Sequence, residues 1–306
     1  MKKPIPVIFD TDIGSDIDDT WALAMALKSP EIDIKLVTVT EFDVEYQAKL
    51  AAKMLQIAGR SDIPVGIGLS SGSYENNCFI RDWVEDYDLS TYPNVIEDGV
   101  QALIDTIMAS EEKVTILAIG AFRNLAAAVE REPRIKEKSK ILGICANIYN
   151  GAFRGMNWFP PLGRESNIGC DIEAYRRSVE VDGWEVEIVP LDLTGATILD
   201  VERYSKIKAH GENDPLIKAL MENCDIWYKN IGFNHYGQSS CLFDTVGVYA
   251  AFTHENMNYQ RLPLYVNDKG LTLIDPVRGK EMDIAITWDD KDKFYKFLVA
   301  RLCDEI

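Results

Sequence analysis

The stretch VIFDTDIGSDIDDTWAL, residues 7–23, places five aspartates within ten positions, directly behind an apolar run. Residues 5–9 (IPVIF) are apolar and rich in β-branched side chains, which predicts a short buried strand. Residues 19–28 have the apolar spacing that is typical of a helix. The acidic residues therefore occupy the junction between the carboxyl end of a strand and the beginning of a helix. They are Asp10, Asp12, Asp16, Asp18 and Asp19.

The same alternation of strand and helix continues along the chain. Further strands are predicted over 32–40, 63–68, 113–120, 140–146 and 186–194, with helices over 44–59, over 100–110 and in AAAVEREP. This order predicts an α/β fold with an open, mainly parallel, doubly wound sheet and helices on both faces. We expect one domain, residues 1–306. The longest irregular stretches, 70–98 and 147–170, are predicted to form functional loops.

Ligands of such sheets bind beyond the carboxyl ends of the strands. Three polar segments directly follow predicted strands: the aspartate cluster, TEFD (40–43) and AIGAFRN (118–124). Because parallel strands end at the same edge of a sheet, we expect these segments to share one edge. This edge is the predicted ligand site.

The composition excludes several classes of protein. The net charge of −17 argues against binding to the phosphate backbone of a nucleic acid, which needs a basic face. No apolar run reaches the roughly 18 residues of a membrane-crossing helix. The first ten residues, MKKPIPVIFD, lack the features of a signal peptide, so we expect a cytoplasmic protein. The six cysteines form no CxxC pair and are expected to be free thiols.

The crowding of carboxylates requires an explanation. Two carboxylates about 4 Å apart repel each other by roughly 4 kcal/mol at an effective dielectric constant near 20. Converging carboxylates must point apart into water, become protonated or surround a cation. A single aspartate before a helix usually serves as an N-cap, but five in ten residues favour a cation. Oxygen ligands in this number suit Ca²⁺ or Mg²⁺ better than zinc.

Two known acidic motifs fit the stretch poorly. An EF-hand loop starting at Asp10 would need glycine at its sixth position and glutamate at its twelfth, where Ser15 and Trp21 stand. A phosphatase of the haloacid-dehalogenase type also begins with a strand and DxD. Its pattern continues with threonine or valine and then a large apolar residue, whereas Ile13 and Gly14 follow here. A phosphatase therefore remains only a third hypothesis.

The stretch resembles the N-terminal signature of the nucleoside hydrolases, commonly DxDPGxDDxxAL. Ile13 stands where proline is usual, and two additional residues separate Gly14 from the final pair, which we align to Asp18 and Asp19. Asp16 is then left unassigned. Four later segments are similar to family segments in the same order. They are VTVTEFD (37–43), ILAIGAFRNLAAAVEREPRI (116–135), RESNIGCDIEAY (164–175) and CLFDTVGVYA (241–250).

The resemblance implies one tightly bound Ca²⁺ and hydrolysis of the N-glycosidic bond of ribonucleosides, releasing ribose and free base. It also implies a homodimer or homotetramer. The metal ligands would be Asp12, which would also act as general base, Asp19, the backbone carbonyl of Ile119 and Asp244. The substrate contacts would be Asp18 on a ribose hydroxyl, Asp43 beside the nucleophilic water, and Asn157, Glu165 and Asn167 on the sugar.

These residue types suit the chemistry of N-glycoside cleavage. The transition state carries positive charge on the sugar, as in other oxocarbenium-like glycosyl transfers, and carboxylates stabilise that charge. A calcium ion can bind the 2′- and 3′-hydroxyls and a water, whose proton Asp12 can accept. Many family members place a leaving-group histidine before the last metal-binding aspartate, where this chain has Phe243.

We therefore expect no leaving-group acid. His235, in the segment 226–238, and Phe243 are the predicted contacts of the base. Phe243 also motivates an alternative from a different class of function. In that alternative, the chain is a metal-dependent nucleoside- or sugar-binding protein that kept the pocket and lost catalysis.

Overall fold

The computed structural model of the chain describes residues 3–72, 77–149 and 163–306, and within them ten strands form one sheet. The order across the sheet is β4-β3-β2-β1-β5-β6-β7-β10-β8-β9. The strands are β1 (Ile5–Thr11), β2 (Ile32–Glu41), β3 (Val65–Ser70), β4 (Val95–Ile96), β5 (Val114–Ala118), β6 (Ser139–Ile144), β7 (Glu185–Val189), β8 (Met257–Val266), β9 (Thr272–Ile274) and β10 (Lys280–Trp288).

The strands from β4 to β10 in this order run parallel to their neighbours, and β8 and β9 add an antiparallel edge. In the centre, β1 lies between β2 and β5, and its Asp10 pairs with Thr38 on one side and Ala118 on the other. The carboxyl ends of these three strands therefore lie side by side. The predicted edge, shared by the aspartate cluster and the two other segments, is confirmed.

Helices cover both faces of the sheet. Successive side chains of β1 point to opposite faces of the sheet, so Val7 and Phe9 belong to one apolar layer and Ile8 to the other. Both faces are therefore apolar and need covering by helices. The first layer contains α1 and α12, and the second contains α4 and α5. The helices are α1 (Asp18–Leu27), α2 (Val44–Ile57), α3 (Arg81–Val84), α4 (Gly99–Ala109), α5 (Arg123–Arg131), α6 (Ile135–Lys138), α7 (Ser166–Cys170), α8 (Ile172–Ser178), α9 (Leu191–Thr194), α10 (Val201–His210), α11 (Pro215–Ile231), α12 (Phe243–Phe252) and α13 (Lys291–Leu302).

The structure differs from the sequence prediction in several places. The strand predicted over 186–194 ends at Val189, because Pro190 has no N–H to donate to the sheet and α9 begins directly after it. The sequence patterns did not predict β4 and β10, nor β8 and β9, which form the antiparallel edge. Among the described residues, every helix is too short or too polar to cross a membrane.

Candidate active site

The loop that follows β1 is held in place from the neighbouring helix α2. Gly14 has a φ of +99°, and a Cβ added there would lie within 2.7 Å of side-chain atoms of Tyr46 and Leu50. The Tyr46 hydroxyl donates a hydrogen bond to the Gly14 carbonyl at 3.2 Å. Only glycine fits this close approach, so Gly14 and Tyr46 together fix the direction in which Asp12 and Asp16 leave the strand.

A pocket of about 610 Å³ opens at this edge of the sheet. Its described wall combines the loop after β1, the ends of β5 and β6, the beginning of α7 and the beginning of α12. Six of the wall residues carry carboxylates, and no lysine, arginine or histidine belongs to the described part of the wall. The wall residues are Asp12, Ser15, Asp16, Asp18, Asp19, Ile119, Ile144, Glu165, Ser166, Asn167, Leu191, Phe243 and Asp244.

Three of these carboxylates, Asp18, Asp19 and Asp244, form what we call the carboxylate trio. Each is at most 4% exposed, and each offers an oxygen that lies within 4.8 Å of the oxygens of the other two. The Thr11 hydroxyl donates a hydrogen bond to Asp19. Burial, followed by the charge of neighbouring carboxylates, raises the pKa of all three groups well above the ordinary range.

The trio fits a divalent cation that prefers oxygen ligands. Buried carboxylates this close together need protons or a cation between them, since none of the described wall residues supplies a positive charge. The donor set contains oxygen alone, which matches Ca²⁺ or Mg²⁺ and not a soft metal. Asp18, predicted to contact the ribose, belongs to the trio. Asp12, predicted to bind the metal, lies in the same wall but outside the trio.

Asp12 is 7% exposed and accepts a hydrogen bond from the Ser15 hydroxyl at 3.3 Å. Burial is the main cause that raises the pKa of Asp12 to about 7; the Ser15 hydrogen bond opposes it, and the charges of Glu41 and Asp16 add to it. The carboxylate therefore changes protonation near neutrality when no cation is bound. Such a group is suited to proton transfer.

The opposite wall is built by Glu165 and Asn167 at the beginning of α7. Glu165 accepts hydrogen bonds from the N–H groups of Asn167 and Ile168, at 2.8 and 3.0 Å, and so caps the helix. The Asn167 amide donates to the carbonyls of Ile119 and Ile144, at 2.9 Å each. Burial raises the pKa of Glu165 to about 7. Asn167 thus ties the end of β6 to the carbonyl predicted to bind the metal.

Comparison with known proteins decides the family. Residues 7–296 match the model of the family described as inosine-uridine preferring nucleoside hydrolase. The chain belongs to this family. It is therefore a hydrolase of N-glycosidic bonds, and the family assignment supports ribonucleosides as substrates. The family is metal-dependent, in agreement with the acidic trio.

The chain is similar to nucleoside hydrolases from plants and bacteria. It is 28% identical to the probable uridine nucleosidase 2 of Arabidopsis thaliana over 306 residues, which cover 93% of this chain and 90% of the relative. It is 31% identical to the pyrimidine-specific ribonucleoside hydrolase RihA of Escherichia coli O1:K1 / APEC over 233 residues, which cover 73% and 71%.

Solved structures agree with the fold. The plant nucleoside hydrolase PpNRh1 superposes with a TM-score of 0.77 at 25% identity, covering 98% of this chain and 99% of that one. The purine-preferring ribonucleoside hydrolase from Gardnerella vaginalis superposes with a TM-score of 0.79 at 23% identity, covering 98% of both chains. At that level of identity the second likeness concerns the fold alone.

The described wall of the pocket of this nucleoside hydrolase contains neither Asp43 nor His235, which are both predicted substrate contacts. Asp43 caps α2 through the Tyr46 N–H at 3.0 Å and pairs with Arg81 at 2.6 Å. Burial opposes the pairing, but Arg81 and the cap hold the pKa of Asp43 below its usual range. The roles of both residues rest on the sequence alone.

The two predicted base contacts are separated. The His235 ring stacks on Tyr228 with 4.1 Å between centroids, and its Nδ1 lies 2.7 Å from the Gln238 carbonyl oxygen. Phe243, in contrast, lies in the pocket wall. Asn157 lies outside the described residues. The structure thus brings together Asp12, Asp18, Asp19, Ile119, Glu165, Asn167, Phe243 and Asp244.

Beside Asp12 lies an ion pair that the motifs do not predict, between Glu41 and Arg123. Glu41 ends β2 with a φ of +87° and is 4% exposed, and its carboxylate lies 2.6 Å from Nε of Arg123, which also pairs with Asp171 at 2.7 Å. The signal was present, because Glu41 and Arg123 both stand in segments expected at this edge. In the first of these segments, TEFD, the predicted residue is Asp43 and not Glu41.

Proposed function

We propose that this nucleoside hydrolase is a calcium-dependent ribonucleoside N-ribohydrolase that releases ribose and free base. The observation that supports it is the carboxylate trio, buried in a pocket whose described wall carries no basic side chain. Calcium is favoured over softer metals because the available donors are all oxygens. The names of the relatives, a uridine nucleosidase and a pyrimidine-specific hydrolase, agree with nucleoside substrates.

Asp12, Asp19, Asp244 and the Ile119 carbonyl would hold the cation, as the resemblance implies. When bound, the ion would bind the ribose diol and make a water more acidic. The reaction breaks the C1′–N bond, and its electron pair goes to the base nitrogen. Water attacks C1′ and gives up a proton, which the carboxylate of Asp12 is proposed to accept. The pocket carboxylates stabilise the positive charge that develops on the sugar.

The remaining residues orient the substrate. Asp18, Glu165 and Asn167 are proposed to contact ribose hydroxyls from the pocket wall. Asp43 and Asn157 keep their proposed roles, beside the water and on the sugar, from the resemblance alone. The cytoplasmic location and the homodimer or homotetramer are likewise proposals from the sequence, and light scattering of the purified protein tests the assembly.

The test is ribose release from uridine and inosine, with added calcium and with a chelator. Asp12→Asn should lower turnover by about 10²- to 10⁴-fold, the range for removal of a general base. The matched control is Asp105→Asn on the exposed side of α4. Near-normal turnover of Asp12→Asn would show that its role is wrong. Calorimetric binding of nucleosides without any ribose release would favour the binding-protein alternative.

A further inference from the structure

When a cation holds the pocket carboxylates in their ionised form, the described wall offers little with which to protonate a departing base. Phe243 precedes Asp244 at the beginning of α12 and its ring cannot donate a proton. The described wall contains no histidine, lysine or arginine, and its hydroxyl groups belong to Ser15 and Ser166. The Ser15 hydroxyl is directed to Asp12. As far as the described residues of the wall are concerned, a neutral base must therefore depart as an anion or take its proton from water.

The same wall holds more carboxylates than a divalent cation can neutralise. Asp16 belongs to the two residues that lengthen the first motif, and it lies in the wall with five other carboxylates. Its Oδ1 accepts a hydrogen bond from the Ile17 N–H at 2.6 Å, and among the described residues no basic side chain pairs with it. Two positive charges of a metal leave several carboxylates in the pocket uncompensated.

From this geometry we propose that the pocket prefers ribonucleosides whose aglycone is already a cation, such as N-ribosylpyridinium compounds or N7-alkylated purine nucleosides. The proposal rests on the proposed hydrolase function and names its substrate class. When the C1′–N bond of such a substrate breaks, the electron pair neutralises the ring nitrogen and the base leaves uncharged. Water adds to C1′ and loses one proton to the medium. No acid is needed at the leaving group.

Both distinctive residues favour that class. The carboxylate of Asp16 attracts a cationic ring, and it repels the negative charge that develops on a neutral base as it leaves. The Phe243 ring can attract a cation through its face. During the reaction the positive charge moves from the aglycone to the sugar and stays within the acidic pocket, so one electrostatic environment stabilises both the bound substrate and the transition state.

The experiment compares kcat/KM for four ribosides at one neutral pH in the presence of calcium. Nicotinamide riboside carries a cationic aglycone, uridine and inosine carry neutral ones, and 4-nitrophenyl β-ribofuranoside has a neutral aglycone that leaves without a proton. We expect nicotinamide riboside to exceed uridine and inosine by about a hundredfold, within the range of a missing general acid. The 4-nitrophenyl compound should lie between them, because it lacks only the charge.

Two variants separate the contribution of the Asp16 charge from that of the missing proton donor at Phe243. Asp16→Asn should lower the preference for nicotinamide riboside over uridine by about tenfold, mainly by slowing the cationic substrate. Phe243→His should lower the same ratio by about tenfold, mainly by accelerating uridine and inosine. Asp105→Asn is the surface control and should leave every ratio at the wild-type value. Thermal melts confirm folding, and if one variant fails to fold the other still tests the proposal.

The outcomes distinguish this inference from the function on which it rests. Ribose release from uridine or inosine that equals or exceeds that from nicotinamide riboside overturns the inference and leaves the hydrolase function standing. A 4-nitrophenyl riboside that matches nicotinamide riboside also overturns it, because charge then plays no part. The absence of ribose release from all four compounds contradicts the proposed function itself.

Discussion

Among the residues that the structure describes, two clusters have side chains spaced like metal ligands, and the two compensate the charge of close carboxylates differently. One is the carboxylate trio of the pocket. The other, which we call the Lys28 cluster, consists of Lys28 at the end of α1, His210 at the end of α10, Asp214 at the beginning of α11, and Asp304 near the C-terminus. In both, the acidic and histidine ligand atoms lie within 4.8 Å of one another.

The Lys28 cluster contains its own cation. The Lys28 ammonium lies 2.6 Å from oxygens of both Asp214 and Asp304, and His210 Nε2 lies 3.2 Å from Asp304. Burial opposes the ionised form of Asp214, but the Lys28 hydrogen bond prevails and its pKa is lowered. In the trio the pKa values are raised instead. Ligand spacing alone therefore does not distinguish a metal site. The feature that favours a metal at the trio is the lack of a positive side chain beside its carboxylates.

The largest expected difference between the clusters is in metal binding. Asp244→Asn should weaken calcium binding by more than the roughly 100-fold typical for outer-shell partners, because it removes a proposed ligand. Ribose release should fall at least as far. Asp214→Asn, the matched change in the Lys28 cluster, should alter neither. Isothermal titration with calcium and the ribose assay check both variants. If Asp244→Asn and Asp214→Asn lost calcium affinity and ribose release equally, the two clusters would not differ in metal binding.

The second difference is in stability with and without metal. Calcium at about 100 times its dissociation constant should stabilise the native chain by about 2.7 kcal/mol, which corresponds to a rise in Tm of roughly 5 °C for a chain of this size. The rise should disappear in Asp244→Asn and persist in Asp214→Asn. Differential scanning calorimetry in calcium and in chelator measures it. A rise that survives Asp244→Asn would place the bound ion elsewhere.

The third difference is in the pH dependence of the metal-free protein. Burial raises the pKa of Asp12 and of Glu165 to about 7. Groups with raised folded-state pKa values contribute stability that is fully present below their unfolded values, near 4, and is lost as the pH rises through about 7. In chelator the chain should therefore be more stable at about pH 5 than at about pH 7.5, by about 2 kcal/mol after allowance for relaxation.

The Lys28 cluster should not contribute to that difference. Because the pKa of Asp214 is lowered, its contribution is present above about pH 4 and is lost only as the pH falls below that value. Urea unfolding of the wild type and Asp214→Asn at the two pH values separates the clusters. If Asp214→Asn removed the difference, the buried pocket carboxylates would not be its source.

Much of the fold could be predicted because it depends on local patterns. The alternation in β1 sends Val7 and Phe9 to one face and Ile8 to the other, and the position of the aspartates after that strand places them at the ligand-binding edge. Pro190, which ends β7, was a local signal that the prediction passed over. The antiparallel pairing of β8 with β9 and with β10 joins neighbouring segments of the chain, so its signal was local, but no strand was predicted after residue 194.

The detail of the site could not be read from spacing. The carboxylates converge as they do because Tyr46, more than thirty positions away, fixes Gly14 in its unusual conformation. Asp43 follows the strand in the predicted way, but Arg81 from α3 binds it, and no pattern linked those two residues. Glu41 was overlooked for the related reason that its partner, Arg123, follows a different strand. Contacts between loops after separate strands determine which acidic residue enters the pocket.

The smallest expected effect is the loss of stability on removing the Lys28 ammonium from the Lys28 cluster. Lys28→Met removes the positive charge but keeps a side chain of similar length, and it leaves Asp214 and Asp304 facing each other. Lys28 is 11% exposed and Asp214 15%, whereas Asp304 is 60% exposed. The cost should therefore lie between that of an exposed and a buried pair, about 1–2 kcal/mol of unfolding free energy in urea.

The matched control for that change is Lys296→Met in α13, whose lysine is 73% exposed and pairs with a 46% exposed Asp292. Its cost should be close to zero, since exposed ion pairs contribute at most about 1 kcal/mol. Calcium should partly restore the stability of Lys28→Met. Without the lysine, His210, Asp214 and Asp304 would lack a compensating positive charge, as the trio does, and a cation could supply it. If Lys28→Met lost stability and calcium did not restore it, then close ligands without a nearby positive charge would not be enough to bind a metal. Complete burial of the carboxylates would then be the feature that favours a metal at the pocket trio.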